Sequence, residues 1–148
     1  MAIDPHLDPS RVELGMFYQQ PPEVVWRALT DSTLLEQWLL PSVGFDSLQA
    51  GTAFIFLLPS DPPAEIACEI LQVLPGQAMT WSWTDMRGPS PSRWKVSWAI
   101  QPQGHGTRLL LVNSGFDVAE KRQRMQRNVM ERGWREVLSK LEGILRRH

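Results

Sequence analysis

The chain has 148 residues, a formal net charge of -1, 43% apolar residues and 21% charged residues. That composition describes one globular domain, expected over 1–148 with its core at about 11–146, and it excludes a disordered chain; the near-zero charge argues against a nucleic-acid binder. One cysteine, Cys68, rules out an internal disulfide or a cysteine zinc cluster, and no uncharged apolar run approaches the ~20 residues that cross a bilayer. No secretory core is read near the first residues, so a cytoplasmic protein is expected.

In chain order, residues 11–19 alternate Val12, Leu14 and Met16 against Glu13 and Gly15, which predicts a strand. Pro21-Pro22 ends it, and Pro22 suits the first turn of a helix, where its missing N–H costs nothing. Val24, Val25, Ala28 and Leu29 recur at helical spacing. A second helix starts at Asp31-Ser32-Thr33; Thr33 and Glu36 have capping-box spacing, with Asp31 or Ser32 as alternative caps. It runs to about Trp38 and stops before Pro41, because the residue preceding a proline disfavours helical geometry.

From Val43 to Gly115 the period is two, broken by turn signals at Ala50-Gly51, Asp61-Pro62-Pro63, Pro75-Gly76, Gly88-Pro89-Ser90-Pro91 and Gln103-Gly104-His105-Gly106. Six strands joined by short turns predict an antiparallel meander. Trp94, Val96, Trp98 and Ile100 share a strand face, as do Trp81 with Trp83, Phe54 with Phe56, and Ile66 with Cys68 and Ile70. Val73 is out of phase with the last set, which predicts a bulge.

Residues from about Val118 to Arg146 read as one helix with Asp117 as its N-cap, spanning roughly 43 Å at ~1.5 Å per residue. Its apolar stripe is Met130, Gly133, Trp134, Val137, Leu141, Ile144 and Leu145, flanked by Met125 and Val129. Glycine weakens a helix interior, so Gly133 is expected where the helix crosses closest to the sheet.

Catalytic and metal-binding chemistry is not evident. His6, His105 and His148 lie at one end, a turn and the other end, which does not make a metal site. No glycine-rich phosphate loop precedes a helix, and no Ser-His-Asp arrangement is suggested. Cys68 on an apolar strand face reads as a small hydrophobe. Glu65, Glu69 and Arg108 alternate onto outward faces. Asn113 shares the inward face of Leu109 and Leu111 and needs hydrogen-bond partners there, either local backbone near Gly115 or a polar group of a ligand. No catalytic residue, metal or cofactor is therefore assigned. Residues 117–148 carry nine basic and five acidic side chains, a basic helix face that could dock an acidic partner.

Several stretches resemble a known family. Pro22-Glu23-Val24-Val25-Trp26-Arg27-Ala28-Leu29-Thr30-Asp31 is similar to its first helix and turn, and Leu35-Glu36-Gln37-Trp38-Leu39 to its second helix. Pro75 through Met79-Thr80-Trp81 resembles its proline turn and Thr-Trp strand. Residues 107–116, ending in Ser114-Gly115-Phe116, resemble its Ser-Gly-Phe corner, and Gly133-Trp134 with Val137, Leu138 and Leu141 its last helix. Together they resemble the helix-grip (START-like) superfamily, in the branch named after the C-terminal domain of the activator of heat-shock protein 90 ATPase. Where the family often has two glycines, this chain has Ala50-Gly51; where it often has a histidine before Ser-Gly-Phe, this chain has Asn113. The resemblance implies an α+β fold with a curved antiparallel sheet wrapped around a long C-terminal helix and two short helices after the first strand.

A sheet that curves away from a helix leaves a gap, and such gaps are typical small-molecule sites. The expected function is binding of a small apolar or aromatic molecule in that gap. Its expected lining is Phe54, Phe56, Ile66, Cys68, Trp81, Trp83, Trp94, Trp98, Leu111, Met125, Val129 and Met130, with Asn113 as the polar handle. Trp81, Trp83, Trp94 and Trp98 should form one aromatic wall beside a pocket of roughly 300 Å³ or more. Trp26 and Trp38 should anchor the short helices at its mouth. The alternatives are a protein-interaction module resembling a chaperone ATPase activator, and a polyketide cyclase-like enzyme.

Overall fold

The period-two stretches pair into one antiparallel sheet. The computed structural model describes residues 8–88 and 90–147; His6, Pro89 and His148 lie outside the described residues. Strand β1 (Arg11–Tyr18) precedes helices α1 (Pro22–Thr30) and α2 (Ser32–Trp38). Then follow β2 (Ser42–Val43), β3 (Ala53–Leu58), β4 (Ala64–Leu74), β5 (Ala78–Asp85), β6 (Ser92–Gln103), β7 (Gly106–Ser114) and the 25-residue α3 (Lys121–Leu145). The sheet order is β1-β7-β6-β5-β4-β3-β2, a meander completed by β1 pairing with β7. This is the expected α+β helix-grip fold.

Local chemistry accounts for the element ends. Asp31 caps α2: its carboxylate accepts from the Thr33 and Leu34 N–H groups at 2.8 and 3.3 Å. The register of β4 against β5 shifts between Ile70 and Gln72, the predicted bulge. Gly104 at φ +59° makes the left-handed turn between β6 and β7.

Three expectations about α3 need correction. The helix starts at Lys121 with Glu120 in the cap position, not at Val118. Asp117 is not the N-cap, because its carboxylate already accepts from the Ala119 N–H at 3.0 Å in a tight turn ahead of the helix. Gly133 is not the point of closest crossing: a methyl group built there would meet nothing within 4 Å. The adjacent Trp134 makes the crossing instead, and its indole holds the helix away from the sheet.

The core lies between the inner sheet face, the two short helices and α3. Each buried indole removes about 150–250 Å² from water, which contributes about 4–6 kcal/mol as an upper estimate. Trp38 ties α2 to α1, its indole N–H donating to the Ala28 carbonyl at 2.9 Å. Trp26 is only partly buried against this core.

Candidate functional site

Antiparallel register lines the inner sheet face with rows of large side chains. Phe54, Cys68, Trp83 and Trp94 form one row, and Ile70, Trp81, Val96, Asn113 and Val12 the next. Val73, Met79, Trp98, Leu111 and Leu14 form a third. Ile66 pairs with Phe56 one row further out.

These rows close on one another. Trp81 stands 5.5 Å from Phe54, 5.5 Å from Phe56 and 5.6 Å from Trp98, measured between ring centroids. Trp134 of α3 packs its edge at 5.5 Å from Trp83 and 5.7 Å from Trp98. Trp94 turns toward Phe116, 4.5 Å away, and so stands apart from the other three indoles of the expected wall. Phe54, Phe56, Ile66, Cys68, Trp81, Trp98 and Leu111 are buried packing partners in this core. Burial pushes the Cys68 thiol up to about 12, which leaves it a protonated, inert packing group at neutral pH.

Asn113 is fully buried and spoken for. Its amide nitrogen donates to the Lys95 carbonyl at 3.1 Å, and its amide oxygen accepts from the Trp134 indole N–H at 3.0 Å. It is therefore a clamp between β6, β7 and α3 and not a handle free for a ligand. One of its partners is backbone, though of β6 and not of the Gly115 corner.

The space beside this core is an open groove of about 230 Å³, smaller than the expected pocket. Its lining is apolar: Leu39 and Leu40 after α2, Leu58 at the end of β3, Trp83 as floor, and Val129, Met130, Gly133, Trp134 and Val137 from α3. Of the expected lining residues it brings together Trp83, Val129 and Met130. Met125 is corrected: it is 60% exposed and lies one helical turn beyond the groove. Val129 is 56% exposed and forms a rim, not part of an enclosed wall. Leu39, Leu40, Leu58, Gly133, Trp134 and Val137 lie outside the expected lining. A cue existed in Leu39-Leu40, two apolar residues stranded between the end of a helix and Pro41.

The groove lining contains no ionisable side chain, so it offers a shape and an apolar surface but no general acid or base of its own. Charge gathers beyond it, at the tip between β5 and β6. Asp85 accepts three hydrogen bonds from the Arg87 guanidinium, at 3.0, 3.3 and 2.7 Å, and one from the Arg87 backbone N–H. Burial alone would raise the Asp85 carboxyl, but these bonds and the nearby Arg122 hold it below the ordinary carboxylate value. Arg122 donates to the Arg87 carbonyl at 3.1 Å and so joins this tip to the first turn of α3. No group of three potential metal ligands comes together among the described residues.

The family model described as Activator of Hsp90 ATPase homolog 1-like protein matches residues 19–146. The chain belongs to that family. Solved structures show the same helix-grip fold. Protein MLL2253 of Mesorhizobium loti superposes with a TM-score of 0.82 at 29% identity, over 93% of this chain and 97% of its own. NE0264 of Nitrosomonas europaea gives 0.77 at 21% identity over 99% of both chains. CalU16 of Micromonospora echinospora gives 0.72 at 21% identity, over 91% of this chain and 75% of its own. No curated protein matches the sequence. No helix among the described residues is long and apolar enough to cross a membrane.

Proposed function

We propose that this member of the family binds a small apolar or aromatic molecule in the groove between α2, β3 and α3. The observation that carries the reading is Gly133. A glycine in mid-helix costs about 1 kcal/mol relative to alanine, yet among the described residues a methyl group there would meet nothing within 4 Å. Its missing side chain instead leaves room above Trp83 and Trp134, where a flat ring could stack. A lining without acid or base supports binding over catalysis.

Naphthalene serves as the first probe. It should quench or shift tryptophan emission and raise the melting temperature by mass action. Gly133→Leu should keep the fold, with a melting temperature no lower than the parent, and lose the naphthalene response. If that variant binds naphthalene as the parent does, the probe sits elsewhere.

A second reading has its own observation. Met125 and Val129 are exposed at helical spacing on the flank of α3 that leads into the groove, and Lys121, Arg132 and Lys140 are exposed on the same helix. An acidic protein partner with an apolar anchor would fit that strip. Met125→Asp would weaken such a partner and leave naphthalene binding unchanged.

A further inference from the structure

Three buried side-chain polar atoms have no hydrogen-bond partner among the described residues: Trp81 Nε1, Trp98 Nε1 and Ser42 Oγ. The two indoles are neighbours, with centroids 5.6 Å apart, and they are 0% and 1% exposed. A buried indole N–H ordinarily finds an acceptor, and three other core indoles have one: Trp38 on Ala28, Trp94 on Gln123 and Trp134 on Asn113. Two neighbouring indoles that both lack an acceptor point to one supplied from outside the chain.

The surroundings define that acceptor. Rings of Phe45, Phe54 and Phe56 surround Trp81, and rings of Trp38 and Trp134 flank Trp98. A water molecule there could accept from the indoles, but its own two hydrogens would face aromatic carbon, and a stable buried water needs several polar partners. An oxygen that only accepts, attached to an apolar body, satisfies the donors and leaves nothing unpaired. The way in is short. Trp134 lines the groove, packs on Trp83 and Trp98, and makes one described side-chain hydrogen bond, to the Asn113 amide oxygen.

We infer, building on the groove reading above, that the ligand is an apolar molecule carrying a carbonyl or ether oxygen and no donor. Its apolar part lies in the groove against Trp83, and its oxygen passes beside a shifted Trp134 indole to accept from Trp98 or Trp81.

Two probes of nearly the same shape separate this from plain apolar binding: 2-acetylnaphthalene and 2-isopropenylnaphthalene, which differ by a carbonyl oxygen in place of a CH₂ group. They are titrated into the ¹⁵N-labelled full chain, whose assigned indole N–H signals report each donor. The ketone should bind about five- to tenfold tighter and move the Trp98 or Trp81 indole proton downfield, which the alkene does not do. Trp98→Phe and Trp81→Phe, where they fold, should reduce the preference for the ketone; the wild-type shifts decide the matter without them. Equal affinity for both probes, with only Trp83 and Trp134 signals moving, overturns the acceptor inference and leaves the groove reading standing. If neither probe binds at all, both readings fall.

Discussion

The C-terminal half of α3 buries Leu138, Leu141, Ile144 and Leu145 against β1 and the short helices, and Tyr18 reaches across to donate its hydroxyl to the Leu138 carbonyl at 2.9 Å. The N-terminal half meets the sheet through polar side chains. Gln123 accepts from the Trp94 indole at 3.5 Å, Gln126 from the Ser92 hydroxyl at 3.4 Å, and Arg127 donates to the Arg11 carbonyl at 3.1 Å. One half is held by area removed from water, the other by long, partly exposed hydrogen bonds that contribute about 0.5–1.5 kcal/mol each. The groove opens where the two regimes meet, at Met130, Gly133 and Trp134. A helix firmly seated at one end and loosely clasped at the other can admit a molecule at the junction without loss of the fold.

The sharpest way to break this contrast is at Trp134, the single indole of α3, where the firm half begins. Trp134→Ala should destabilise by about 3–5 kcal/mol, since it removes a buried indole and strands the Asn113 amide oxygen. Met125→Ala, on the exposed flank nearer the start of the helix, should stay within about 0.5 kcal/mol of the parent. Urea denaturation of both variants measures the difference; similar losses would mean that α3 is held evenly along its length.

Asn113 tests the clamp between the two regions. Asn113→Ala leaves the Trp134 N–H and the Lys95 carbonyl without this partner and should cost about 2–3 kcal/mol. Because the loosened indole is the proposed door, the same variant should admit 2-acetylnaphthalene faster in stopped-flow fluorescence. An unchanged association rate would show that Trp134 does not limit entry.

The loose half has an acid-sensitive component. The Asp85 carboxyl is held below its ordinary value by Arg87 and Arg122, so its contribution is complete above about pH 4 and is lost as pH falls through the lower folded value. Asp85→Asn should therefore be less stable than the parent by about 1–3 kcal/mol at pH 7, with the two stability curves converging in strong acid. Parallel curves down to pH 2 would assign the loss to packing instead.

The firm and loose halves were not equally legible in the sequence. Strand faces such as Trp94, Val96 and Trp98 follow from period two, and the order of elements from turn chemistry, because both are local. The stripe of α3 announced Trp134, Leu141 and Leu145 as core. It put Val129 on the flank of the stripe and Met130 within it, but how far the flank lies open is decided only once the helix axis is placed on the sheet. Asn113 was legible as an inward amide, but its bond to Trp134 joins residues 21 apart on different elements. The groove was hardest to foresee, since Leu39, Leu58 and Gly133 become neighbours through the tertiary fold alone.

The smallest effect sharpens the comparison most. Gly133 and Gly143 both lie in α3, and a methyl group at either position meets nothing within 4 Å. Replacing either by alanine should stabilise the protein by about 1 kcal/mol through helix propensity and raise the melting temperature by about 2–4 °C. The two differ in what the methyl group does next. At Gly133 it projects into the groove between Trp83 and Met130 and should weaken naphthalene binding, while at Gly143, in the firmly seated half, it should leave binding as it was. Equal stabilisation with unequal binding separates the cost of the glycine from its use. If Gly143→Ala weakens naphthalene as much as Gly133→Ala, stiffening of the whole helix explains the loss, and the groove is not where the probe binds.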